Sequence, residues 1–176
     1  MINVLKESLW YQFGASIDMV KNAIMLYPEE NWSTNKKFFY NAYHCLIYLD
    51  YYLTIPWRKD FSAALPFTPA GAEDEIDADA IDKNIPDRIY SKKELLDYLQ
   101  SSRERCRLLI ADLTEEKLNE QWLEKPGTPK ARDYSVTELL MYNMRHVQHH
   151  AAQLNMLLRQ GMNDAPSWVR RAREEV

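Results

Sequence analysis

The sequence predicts an all-α fold, a four-helix bundle with a long connection between its second and third helices, and three observations carry that expectation. Apolar residues recur at three- and four-residue steps in four separate segments, the signature of amphipathic helices. Only four glycines occur in 176 residues, which disfavours a fold built on many tight turns. Capping-box sequences, Ser91-Lys92-Lys93-Glu94 and Ser135-Val136-Thr137-Glu138, open the last two of these segments.

The first helix is expected over residues 3–27, with Leu5, Leu9, Phe13, Ile17, Val20 and Ile24 on one face and Pro28 as its stop. Ser33 is the expected N-cap of the second, which runs to about Ile55 before Pro56 and buries Phe39, Ala42, Leu46, Leu49 and Leu53. Residues 57–90 break the pattern with Pro66, Pro69, Pro86 and an acidic run from Glu73 to Asp82. A segment this long with no core of its own is expected to border a cavity or cover the bundle end. The third helix turns Leu95, Leu99, Ser102, Cys106, Leu109 and Leu113 inward, and Thr114 can start a short helical turn. Residues 122–134, with Pro126, Gly127 and Pro129, read as irregular. The fourth helix runs from the Ser135 box to Gly161, its expected C′ residue, over roughly 39 Å. A tail with Pro166 and Trp168 is expected to fold back as a short helix, and residues 1–176 read as one domain.

Composition narrows the function classes. A hydrophobic fraction of 46% argues against disorder, and a net charge of −4 offers no basic excess for a nucleic-acid partner. Arg170, Arg171 and Arg173 are followed at once by Glu174 and Glu175, so they read as a solvated helix face. No run approaches the roughly 20 apolar residues a membrane helix needs, and the start has no basic-then-apolar leader. Two cysteines, Cys45 and Cys106, are too few for a disulfide framework, so a reduced, cytoplasmic protein is expected.

The histidines carry the chemistry. Three of the four lie in His146-Val147-Gln148-His149-His150, and the fourth is His44 on the second helix. His146 and His150 are four apart and share a helix face, while His149 is rotated away. Asn143, His146, His150 and Gln153 follow steps of 3, 4 and 3, a polar ridge where a bundle expects apolar residues. Four buried polar groups without partners would cost about 1–3 kcal/mol each, so something in the bundle must satisfy them. His44, His146 and His150 on facing helices would make a three-imidazole metal site with open positions, and Tyr40, Tyr48, Asn143 and Gln153 would line its pocket. Histidines that are only hydrogen-bonded core residues are the plainer alternative. The chain has no Glu-x-x-His pair for a di-iron site, no His-Glu-x-x-His and no Cys-x-x-Cys.

The run His146-Val147-Gln148-His149-His150-Ala151-Ala152-Gln153-Leu154 resembles the signature of the DinB-like superfamily, which includes bacillithiol transferases and mycothiol-dependent maleylpyruvate isomerases. The usual form is His-x-x-x-His followed by Arg-Gly-Gln and an aliphatic residue; here Ala151-Ala152 stands in place of Arg-Gly. His44 matches the family's first metal histidine, and the long second connection and Tyr90-Ser91 are also similar. The resemblance implies a metal-binding four-helix bundle that activates a low-molecular-weight thiol for transfer or isomerisation, and a homodimer. Three neutral imidazoles suit Zn or Ni, with Mn or Fe as alternatives. Three functions stay open: a metal-dependent thiol transferase or hydrolase with a small-molecule substrate, a non-catalytic metal-binding or stress-response bundle, and a purely structural bundle. No catalytic residue is assigned. Metal retention is expected to weaken below the ordinary histidine pKa of about 6.5.

Overall fold

The structure is a computed structural model that describes residues 2–72 and 74–173. Five α-helices, α1 (Ile2–Leu26), α2 (Lys36–Tyr52), α3 (Lys92–Ala111), α4 (Glu115–Asn119) and α5 (Val136–Met162), are the bulk of it, so the chain is mainly helical. Among the described residues there are also two small antiparallel hairpins, β1 (Phe67–Pro69) with β2 (Asn84–Pro86) and β3 (Gln121–Glu124) with β4 (Arg132–Ser135). The four long helices touch in a closed circuit: α1 packs on α3 and α5, and α2 packs on the same two.

The core follows from the spacing. Phe13, Ile17, Val20 and Ile24 on α1 are fully buried, as are Phe39, Ala42, Leu46 and Leu49 on α2 and Leu140, Val147, Ala151, Leu154 and Leu158 on α5. Each large apolar side chain removed from water contributes about 1.5–3 kcal/mol, which outweighs weak local preferences such as the β-branched residues on α1. Both capping sites form: Ser91 and Glu94 exchange reciprocal bonds, and Ser135 accepts from the Glu138 N–H.

Several local expectations are corrected. The second helix begins at Lys36 behind Asn35 rather than behind Ser33, because the chain first makes a 3-10 turn at Glu29–Asn31. It ends at Tyr52, short of Ile55. Gly161 lies inside α5; the left-handed residue that closes the helix is Asn163, at φ 53°. Asparagine tolerates that conformation better than other non-glycine residues. The tail beyond α5 does fold back, but not as a helix, and Arg171 stacks on Tyr11 instead of sitting on a helical face.

The two hairpins were absent from the sequence expectation, and both build the site. Residues 122–134 are irregular only over 125–131, and strands flank that turn: Trp122 on β3 is fully buried and its indole N–H donates to the Thr54 carbonyl at 3.0 Å, which clamps the hairpin onto the end of α2. The β3–β4 connection passes through Lys125 at φ 50° and Gly127 at φ 76°, the latter a conformation glycine adopts freely. In the long excursion, the Tyr43 hydroxyl donates to the Leu65 carbonyl and the Tyr90 hydroxyl to the Pro66 carbonyl, each at 2.7 Å. These bonds hold β1 against α2 and α3.

The tail docks at Gly14. The Ala172 N–H donates to the Tyr11 carbonyl at 3.0 Å, and a methyl group at Gly14 would meet the Ala172 Cβ at 2.6 Å. Gly14→Ala gains about 1 kcal/mol of helix propensity, so its damage should be confined to the tail. We expect tryptic cleavage after Arg170 and Arg171 to accelerate severalfold in this variant, with the far-UV circular dichroism unchanged. Unaltered protection would contradict the docking.

Candidate metal centre

α2 brings His44 and α5 brings His146 and His150 to one point between the two helices. The ring centroids are 4.5 Å apart for His146 and His150, 4.8 Å for His44 and His150, and 5.5 Å for His44 and His146. One ring nitrogen from each lies within 4.8 Å of the other two, a spread that encompasses the about 3.4 Å between two nitrogens on one tetrahedral metal. His149 is exposed, packs its ring against His150 at 5.2 Å, and stands outside this group.

The surroundings fix two of the three rings. The Nδ1 of His150 lies 3.1 Å from Asn41 Oδ1, and the Asn41 amide donates in turn to Gln153 Oε1 at 2.9 Å. That arrangement makes Nδ1 the protonated nitrogen and leaves Nε2 with its lone pair. The Nδ1 of His44 sits 3.2 Å from Asp82 Oδ2, close enough for the carboxylate to orient the ring although the contact is not aligned as a hydrogen bond. Asp82 is itself held by the Asn84 N–H at 2.8 Å, and the Asn84 amide reaches the Tyr48 hydroxyl at 2.8 Å. Burial pushes the Asp82 carboxyl up, but the contacts from His44 and the Asn84 N–H outweigh it, and the net shift is downward. A carboxylate or amide behind a histidine is how metal ligands are usually oriented.

His146 is different. It is largely buried between α2 and α5, and neither of its ring nitrogens has a hydrogen-bond partner. Burial, then the neighbouring His44, pushes its pKa down to about 4. Burial and the nearby His146 push His150 down to about 3. Both imidazoles are therefore neutral at pH 7, the form that ligates a cation. These residues, with one orphaned imidazole and two oriented ones, fit a divalent transition metal.

A cavity of about 580 Å³ opens over His44 and His146. Tyr48, Tyr51, Tyr52 and Tyr142 wall it from the helices, the 57–90 excursion adds Trp57, Phe61, Phe67 and Asn84, and the second hairpin adds Glu124 and Arg132. Burial pushes the Tyr51 hydroxyl up to about 12, so it stays a donor; it bonds Glu124 Oε1 at 3.1 Å and accepts from the Trp57 indole at 2.7 Å. The buried Cys45 and Cys106 thiols are pushed up by burial and line no part of the cavity.

Of the four residues expected to line the pocket, only Tyr48 does. Tyr40 is covered by the excursion, its hydroxyl 3.4 Å from Asp77 Oδ2. Asn143 is fully buried and donates to the Leu49 carbonyl at 3.0 Å. Gln153 stands behind His150, bonded to Asn41. The polar ridge on α5 is thus real, but its two amides serve the helix interface and the ligand backing. Sequence reasoning missed Asn41, Asp82, Asn84, Glu124 and Arg132. Only Asn41, one turn before His44, carried a local signal.

The depressed pKa values set the acid stability of the metal-free protein. Between about pH 6.5 and about pH 4 the unfolded chain holds protons on His146 and His150 that the folded chain does not. Stability therefore falls as pH falls through that window, by about 1.4 kcal/mol per pH unit for each histidine at most. Urea unfolding of chelator-treated protein should show this slope, and His146→Leu should reduce it. A flat profile from pH 6.5 to pH 4.5 would contradict the buried, neutral pair.

No curated protein and no solved structure matches the chain. A family model does match: that of the DinB superfamily, over residues 28–154, well over half of the chain and inclusive of all three clustered histidines. With the fold mainly helical and His44, His146 and His150 gathered as described, the chain belongs to the DinB superfamily.

Proposed function

We propose that this protein is a metal-dependent enzyme in which His44, His146 and His150 hold one divalent transition metal, and that it transfers or isomerises a low-molecular-weight thiol. Hydrolysis of a small-molecule substrate is the second use the same site supports. The observation that carries the reading is His146, buried with neither nitrogen hydrogen-bonded and two further imidazoles beside it. Three imidazoles suit Zn or Ni, with Mn or Fe as alternatives. When bound, such a metal supplies a Lewis acid that lowers the pKa of a coordinated thiol or water.

The chain's own residues divide the remaining work. Asp82 and Asn41 orient His44 and His150. Tyr48, Tyr52 and Tyr142 wall the cavity beside the histidines, and burial raises the Tyr48 and Tyr52 hydroxyls so that they stay donors. Among the described residues Glu124 is the one carboxylate lining the cavity, and Lys125 and Arg132 hold it. On the same reading the four long helices form one four-helix-bundle domain that works as a homodimer in the cytoplasm.

Metal content of single variants tests the ligand set. His44→Ala, His146→Ala and His150→Ala should each lose most bound metal after dialysis, and His149→Ala should keep it. Full occupancy in the first three would sink the assignment. Because burial lowers two of the ligands, retention should persist below pH 6.5 and fade toward pH 4, lower than the sequence alone led us to expect. Metal-loaded protein incubated with a small thiol and an electrophile should consume both. Bound metal without turnover of any thiol or ester would leave a metal-binding bundle with no catalysis.

A further inference from the structure

The mouth of the histidine cavity is charged against the sign of the molecule. The chain carries a net charge of −4, yet the cavity is lined by Arg58, Lys59, Lys125 and Arg132 against the single carboxylate of Glu124. The four cations come from two unrelated segments. Arg58 and Lys59 open the excursion after α2, and Lys125 and Arg132 flank the β3–β4 turn. Helix periodicity did not place them together; the two loops did.

Glu124 makes half of this cluster a built feature rather than a solvated rim. It is 4% exposed at the end of β3, directly opposite Arg132 in the strand register. Its Oε1 takes the Tyr51 hydroxyl and lies 3.1 Å from Lys125 Nζ, while its Oε2 lies 3.5 Å from Arg132 Nη1 and makes no hydrogen bond. The carboxylate tethers both cations without using their donors fully. The Arg132 guanidinium donates no hydrogen bond among the described residues, and the Lys59 ammonium makes neither hydrogen bond nor ion pair among them. Arg58 pairs only with exposed Asp60, at 3.2 Å, a contact worth little in water. The same cavity holds His44 and His146 and an aromatic wall of Tyr51, Trp57, Phe61 and Phe67.

We infer that this mouth is an organic-anion subsite: it seats a carboxylate on Arg132, Lys125, Arg58 and Lys59 while the apolar body of the same molecule lies along Tyr51, Trp57 and Phe61 toward the histidines. Arginine suits a carboxylate because its planar fork presents paired N–H donors. The cations also raise the local concentration of anionic molecules at the entrance, an effect that salt weakens. The inference rests on the cavity being the substrate site, but not on the metal.

Calorimetric titration tests it with phenylsuccinate as the probe and its uncharged diamide as the control. Both chelator-treated and metal-loaded protein are used. The anion should bind at least tenfold tighter than the diamide in both preparations, and the preference should shrink as sodium chloride rises. Arg58→Gln/Lys59→Gln, whose side chains have no buried partner, should lose most of the preference. Lys125→Gln/Arg132→Gln should lose it too, unless release of Glu124 unfolds the hairpin, which circular dichroism and the first double variant resolve. Arg170→Gln/Arg171→Gln, at the distant tail, should bind like the parent. Equal binding of anion and diamide to the chelator-treated protein would overturn the subsite. So would a preference unchanged in Arg58→Gln/Lys59→Gln, or one lost in the tail variant. Since the chelator-treated arm holds no metal, failure here is distinct from failure of the histidine site to bind a metal.

Discussion

A buried imidazole with no hydrogen bond on either nitrogen is costly, because its N–H has left water without replacement. His146 is held in that condition by the packing of α2 on α5, which neither helix can relax without exposing Leu46, Leu49, Val147 and Leu154. The apolar stripe thus supports the polar site. It forces His146 and His150 inward, strips them of water, and keeps them neutral through desolvation. The fold gathers three imidazoles where a metal would join α2 to α5.

The helices alone would leave that centre open. The excursion between α2 and α3 contributes Asp82 behind His44 and Asn84 beneath Tyr48, so one loop both orients a ligand and closes a wall. The β3–β4 hairpin, anchored by Trp122 on Thr54, brings Glu124 and its two cations to the same cavity. The cavity's cations and the carboxylate behind His44 therefore sit on loops, while the three imidazoles and the Asn41–Gln153 pair behind His150 sit on helices. That division suits a scaffold whose metal geometry is fixed and whose substrate contacts can vary.

What was legible in the sequence follows from what is local. Helix periodicity survives in a string of residues, so the stripes of α1, α2 and α5 were readable, as were the capping sites at Ser91 and Ser135. His146 and His150 declared their common face by their spacing, and His44 was the only other histidine inside a helix facing the core. The strands were not readable, since each has three or four residues, too few for a periodic signal, and is held by tertiary contacts such as Trp122 to Thr54. The pocket walls failed for the same reason. Tyr40 and Gln153 share a face with the ligands, but the excursion covers one and Asn41 takes the other. Asp82 sits in an acidic stretch where nothing marks it from its neighbours, and only the folded excursion selects it.

The central claim is that three imidazoles from two helices meet on one metal. An anomalous-difference map from crystals grown with Zn, recorded above and below the metal edge, tests it most directly. The account predicts one strong peak between α2 and α5, about 2.0–2.1 Å from a nitrogen of each of His44, His146 and His150. A peak at His149 or on the surface acids, with the space among the three buried rings empty, would contradict it.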